Sequence, residues 1–213
     1  MRWAAEHQQW IAAQKARLPQ AVPFAPGAAI PFRGRPVVID WRPDRPRRVT
    51  LESRQREALG EVRPSTSCGA NGPDLTLDGA GADRLVCGGL ATGLARRIEN
   101  WLRREALKVL GDETDELALR IGVAIERVSV GDPRARWGSC SSRGTIRYSW
   151  RLILAPDYVR RATVAHEVAH RVHMDHSRRF HALVAELLGE DPAPARAWLS
   201  ANGAALHWLG RES

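Results

Sequence analysis

Lysine is nearly missing from this chain: Lys15 and Lys108 are the only two, so 30 of the 32 basic side chains are arginines. A guanidinium stays charged at any accessible pH, so the net charge of +8 and the pI near 10.5 rest almost wholly on arginine. That excess favours weak, non-specific attraction to nucleic acid, nucleotides or acidic surfaces. It comes with abundant Ala, Gly and Pro, a bias that a GC-rich genome also produces, and with no recognised nucleic-acid module. Cysteine is scarce too. Cys68, Cys87 and Cys140 form no CxxC pair, and their odd number excludes a disulfide framework, as expected of buried thiols in a reducing compartment. Long apolar runs are missing: no stretch approaches the length of a membrane span, and the first 18 residues are polar and amphipathic without a signal-peptide core. The expectation is a cytoplasmic protein with no membrane partner. With 44% hydrophobic and 26% charged residues over 213 positions, the chain can build one substantial core, or a catalytic domain with a smaller attached part.

Histidine, by contrast, is concentrated. Five of the seven lie in residues 163–181, TVAHEVAHRVHMDHSRRFH, where His166 and His170 flank Glu167 in an HExxH arrangement. On an α-helix, residues four apart share a face about 6 Å apart along the axis. Two imidazoles then stand side by side, able to bridge one divalent cation, with Glu167 beside the position left for water. Hydrolytic zinc sites use three protein ligands, and His173 and His176 are both close in sequence. His173 continues the same helical face and would crowd three stacked rings on one side of the ion. His176 can approach from another direction if the helix stops near Met174 and Asp175, since Asp tolerates the left-handed conformation of a helix end. The reading is one Zn2+ per chain on His166, His170 and His176, with Glu167 as catalytic base and His173 as the fallback ligand.

The remaining sequence supplies a frame for that helix. Residues 2–18 have the spacing of a short helix around Trp3, Trp10 and Ile11, and the Pro-rich passage 19–31 follows as a connector. Short β-like runs at 36–41, 48–52, 74–78 and 84–87, with an exposed loop at 65–73, predict a small, mostly antiparallel sheet. Residues 92–110 place Leu94, Ile98, Trp101, Leu102, Ala106 and Leu110 on one face of a helix; Gly111 is expected to stop it and a second helix to run over 113–121. A strand follows at 123–130, then RARWGSC at 134–140 and a strand over 145–154 with Ile146, Tyr148, Trp150 and Leu152 on one side. The metal-bearing helix is expected from about 156 to 172, Asp157 complementing its dipole. Ser177 should cap a helix reaching 188, with Phe180, Leu183, Val184 and Leu187 inward; Gly189 ends it, and a last helix covers 195–203. The order implies an α+β fold in which the active-site helix packs on a small antiparallel sheet. Its expected parts are an N-terminal helix and connector (1–29), a β-rich subdomain (30–90) and a catalytic domain (91–213).

RWGSC at 136–140, SWRLILAP at 149–156, HEVAH at 166–170, MDHS at 174–177 and Phe180 resemble, in order and spacing, the YgjP-like family of zinc metallopeptidases, related to the SprT-like domains. The resemblance is specific from about residue 134 to 208; upstream only IPFRG and ENWLRREA are similar to it. It implies a compact, gluzincin-like metallopeptidase domain of the zincin type with a small N-terminal sheet, zinc on His166, His170 and His176, and Glu167 as base. The chain departs from the family at His181, where Trp commonly follows the Phe, and at Ser149, where Asn is common. Metzincins share the histidine spacing, but they need Gly where His173 stands and a downstream Met, and none follows Met174.

Chemically, zinc brings the pKa of its water toward 7, and Glu167 can take that proton and return it to a leaving group. The strand at 145–154 could offer an edge to an extended peptide. Arg136 and Tyr148 are the candidate substrate-binding groups, and with His173 the candidate oxyanion donors. A zinc-dependent metallopeptidase acting on peptide or protein is the leading expectation. The same site would suit a metal-dependent nucleotide (phosphoanhydride) hydrolase, for which the arginine excess fits an anionic substrate. A DNA-associated, SprT-like protease is the third reading, and would need a nucleic-acid tether beyond diffuse charge. A purely structural zinc module would have four protein ligands and no use for Glu167.

Overall fold

A computed structural model describes residues 7–8, 19–53 and 82–211. Of the expected helix over 2–18 only His7 and Gln8, which are helical, are described; the run at 74–78, the loop at 65–73 and Cys68 lie outside the described residues. The elements are β1 (Ala29–Phe32), β2 (Arg35–Trp41), β3 (Thr50–Glu52), β4 (Asp83–Cys87), α1 (Leu94–Arg120), β5 (Arg127–Gly131), β6 (Gly138–Cys140), β7 (Thr145–Ser149), a 3-10 helix (Trp150–Leu154), α2 (Asp157–Ala169), α3 (Arg178–Leu188) and α4 (Ala193–Leu206). This is an α+β architecture in which residues from both sheets and all four of these helices share one buried apolar cluster.

β1 and β2 form a hairpin closed by two residues, Arg33 and Gly34, both at positive φ (52° and 74°), the combination that suits the twist of a tight hairpin. The turn docks onto the segment leading into the histidine helix: Arg33 N–H donates to Ile153 O at 2.7 Å and Gly34 N–H to Leu154 O at 3.3 Å. A Cβ at Gly34 would lie 2.8 Å from Pro156 Cα, so glycine is required there by contact as well as by φ. The first sheet runs β1-β2-β4-β3, and its central pair, β2 with β4, is parallel. Two of the three pairs are antiparallel, as expected of a mostly antiparallel sheet, and the central pair is the exception. A parallel neighbour needs a long crossover, which residues 42–82 supply.

α1 is one helix of 27 residues, not two. Gly111 does not end it, because the apolar stripe continues through it: Leu110, Thr114, Leu117 and Ala118 are buried in phase with Leu94, Ile98, Leu102 and Ala106. Glycine inside a helix costs about 1 kcal/mol relative to Ala, less than burying one further leucine returns.

The second sheet has the order β5-β7-β6, with β5 and β7 parallel and β6 and β7 antiparallel. The sheet beside the histidine helix is thus mixed, its antiparallel pair being β6 with β7. β7 lies in the middle, so the open edge expected of residues 145–154 belongs to β6. The strand also stops at Ser149. Residues 150–154 form a fully buried 3-10 turn, capped by Ser149 Oγ accepting from Arg151 N–H at 3.4 Å. Strand alternation would have turned Arg151 to solvent. It is instead 5% exposed, paired with Asp132 (Nε to Oδ1 2.7 Å) and donating through Nη1 to the carbonyls of Leu206 (2.6 Å) and Leu209 (2.9 Å).

α2 packs against β6, the 3-10 turn, α1, α3 and α4. Its buried face is made of small residues, Ala162, Ala165 and Ala169 between Val159, Val164 and Val168, which lets neighbours approach closely. Arg160, 1% exposed, grips Glu113 of α1 (2.7 Å) and Asp157 (2.6 Å). Asp157 accepts from Arg33 as well, at 2.7 Å. Burial pushes the Asp157 carboxyl up, but the two guanidiniums outweigh it and hold it below the usual range. No described helix is long and apolar enough to cross a membrane.

Candidate metal centre

The histidine helix ends at Ala169, three residues before the expected position, with His170 as its C-terminal cap (φ −63°, ψ −14°). The amides of Val172 and His173 both donate to Ala169 O, and Arg171 reaches away to the carbonyls of Ser142 (2.8 Å) and Ala124 (3.2 Å). The early stop takes His173 off the helical face. Its backbone carbonyl then meets His170 Nδ1 at 3.0 Å, which fixes that ring and leaves Nε2 free. The chain turns through Asp175, whose carboxylate accepts from Ser177 N–H at 3.3 Å, and re-enters a helix at Ser177, whose Oγ accepts from Phe180 N–H at 3.4 Å. His176 is carried back over the helix end by this turn.

The result brings His166, His170 and His176 together, one ring nitrogen from each lying within 4.8 Å of the others. Ring centroids are 4.9 Å (His166 to His170), 5.2 Å (His166 to His176) and 4.9 Å (His170 to His176) apart. Phe180, with no exposed surface, is the floor beneath all three, at 4.8, 4.5 and 4.8 Å from the rings of His166, His170 and His176.

The donor set fits a divalent cation such as zinc on one internal measurement. His166 Nε2 and His176 Nε2 are 3.3 Å apart, and the edge of a tetrahedron with zinc–nitrogen bonds of about 2.0–2.1 Å is roughly 3.3–3.4 Å. Burial, then the neighbouring His170 and His176, push the His166 imidazole down to about 4; burial likewise lowers His170, partly opposed by the His173 carbonyl. Both rings are therefore neutral at pH 7, as a nitrogen ligand must be.

Glu167 is 5% exposed and lies against β6, where its Oε1 would be 2.5 Å and its Cγ and Cδ 2.7 Å from a Cβ added at Gly138. Burial raises its carboxyl to about 7, and the charge of Arg136 only partly offsets that. Cavities open on both sides of this carboxylate. One, about 300 Å³, runs along Trp137, Val159, Val184 and Leu199; the other, about 340 Å³, lies over Ser139, Cys140 and Met174 with the three imidazoles.

The other sequence-predicted residues fall unevenly. Arg136 is exposed at the rim of the first cavity. Tyr148 is fully buried, its hydroxyl 3.0 Å from Thr114 Oγ1 in α1 and its phenol pushed up by burial, so it supports the core beneath the site. His173 contributes its carbonyl and lies outside the triad. Sequence reasoning gave no role to Gly138 or Arg196. The first was visible as the glycine of RWGSC, without a sign of what it touches; the second had no signal.

An α+β chain thus gathers, at the end of an HExxH helix, three imidazoles that could hold a metal ion beside a buried carboxylate. The model of the YgjP-like family, a metallopeptidase domain, matches residues 87–202, more than half of the chain, and the chain belongs to that family. No curated protein and no solved structure matches it.

Proposed function

We propose that the protein is a zinc-dependent peptidase in which His166, His170 and His176 hold one Zn2+ and Glu167 is the general base. The observation that carries this is the gathering of three imidazoles beside a buried carboxyl that burial pushes up to about 7. Zinc, when bound, supplies the Lewis acid that activates water and polarises the scissile carbonyl. Glu167 takes the proton of the attacking water and hands it to the leaving nitrogen, and an affinity near neutrality leaves both directions open. β6, the unpaired edge of its sheet, offers Gly138–Cys140 to an extended peptide between the two cavities. Phe180 and the His173 carbonyl hold the rings; Gly138 lets the strand lie against Glu167.

Arg136 and Arg196 beside the first cavity, which have no carboxylate partner among the described residues, favour hydrolysis of nucleotides as a second reading. Purified protein of defined zinc content, given unfolded protein, short peptides and nucleoside triphosphates in parallel, separates the two. Peptide turnover that disappears on chelation and returns with zinc supports the first; triphosphate turnover alone overturns it.

A further inference from the structure

The cavity beside Glu167 shares Arg136, Trp137 and Leu199 with a further cavity of about 420 Å³ lined also by Arg134, His207, Trp208 and Arg211, so the two adjoin as one trough beside the carboxylate. Its charge is one-sided. Among the lining residues of both cavities Glu167 is the only carboxylate, while Arg134, Arg136, Arg196 and Arg211 are all present. None of these four side chains makes a hydrogen bond or ion pair among the described residues. Arg33, Arg103, Arg151, Arg160 and Arg161 each hold a carboxylate; what marks the trough is that four guanidiniums without one line adjoining cavities. His207 Nδ1, on the wall of the trough, is buried without a hydrogen-bond partner among the described residues.

We infer that this trough selects polypeptide substrates carrying acidic residues a few positions from the scissile bond, with an apolar side chain next to that bond filling the first cavity; the inference rests on the peptidase reading above. Adjacency favours polypeptide, since a chain whose scissile bond lies at Glu167 would pass from the first cavity to the second across their shared residues Arg136, Trp137 and Leu199. The aromatic faces argue against nucleic acid. Trp137 is stacked on His207 (5.1 Å between centroids) and Trp208 lies under Arg211 (5.7 Å), so neither offers a free platform for a base. Open guanidiniums at the mouth of an apolar slot suit side-chain carboxylates, which they can grip in pairs.

The test uses the full chain as zinc-loaded Glu167→Gln protein and labelled peptides that share one cleavage core but carry either acidic or neutral flanks. The acidic peptide should bind at least ten-fold tighter at low salt, with an advantage that shrinks as salt screens it. R134E/R211E, which lies away from the histidines, should abolish that advantage, whereas R104E on the exposed face of α1 should leave it intact. Equal affinity for the two peptides, or an advantage untouched by R134E/R211E, overturns the inference. So does a single-stranded oligonucleotide of matched charge that outcompetes the acidic peptide. Turnover by the wild type distinguishes the levels: neutral and acidic peptides cut alike sink the trough and spare the peptidase, while acidic binding with no cleavage of either peptide sinks the peptidase.

Discussion

Gly138→Ala tests whether the geometry around Glu167 matters in the way proposed. The new methyl carbon would sit 2.5 Å from Oε1 and 2.7 Å from Cγ and Cδ, whereas ordinary contact begins at 3.4 Å. Strand and side chain must therefore separate by about 0.7–0.9 Å, and because the atoms met are the end of the Glu167 side chain, with cavities on either side, it is the carboxylate that is displaced. Misplacement of a catalytic group by about 1 Å costs on the order of 10²-fold in rate. Overpacking itself costs ~1–3 kcal/mol of stability. The expected pattern is a kcat lower by about 10²-fold, a modestly lower Tm, and zinc affinity close to wild type, because no histidine is touched. Steady-state kinetics on a fluorogenic peptide, zinc competition against a chromogenic chelator and a melting curve read the three quantities separately. A folded, zinc-loaded G138A enzyme with wild-type kcat would refute the assignment of Glu167. Loss of zinc in step with activity would mean that the strand shapes the ligand set instead.

Glu167→Gln should retain zinc, measured by elemental analysis, and lose about 10²–10⁴-fold in turnover; full turnover removes the base. His176→Ala should lose more zinc affinity than the 10–100-fold typical of outer partners, whereas His173→Ala keeps the carbonyl that orients His170 and should bind as the wild type does. The reverse order in a chelator titration would exchange the two residues. Burial alone would raise the Asp132 carboxyl, but Arg151 overrides it and holds it low. A depressed carboxylate stabilises fully above its unfolded pKa of about 3.9 and loses that contribution as pH falls through the folded value. Asp132→Asn should cost about 1–3 kcal/mol near pH 6, since it leaves buried Arg151 unmatched. The gap in Tm to wild type should close below about pH 4; a gap that persists at pH 2 would place its cause in packing.

The α+β class and the convergence of His166, His170 and His176 could be read from local rules: helical spacing for the first pair, a chain-reversing segment and the Ser177 cap for the third. Gly189 at the end of α3 followed from its tolerance of positive φ, here 77°. What could not be read depended on the far side of each element. Gly111 breaks a helix judged by propensity, yet buried partners on both sides carry α1 through it. Residues 150–154 alternate like a strand, but with Arg151 claimed by Asp132 and two carbonyls the segment coils. The contact of the Tyr148 hydroxyl with Thr114, the edge position of β6 and the contact of Gly138 with Glu167 all arise from pairings between segments that no spacing rule reports.

Asp157 stands on the first turn of the helix that carries the ligands; its two oxygens accept from Arg33 of the β1–β2 turn, and Oδ1 accepts from Arg160 as well. The start of the histidine-bearing helix is thereby tied to a surface turn. Under the proposed function, loss of the Arg33 contact with Asp157 would surface as slower chemistry in a protein that still folds, so that turn bears on turnover as well as on packing.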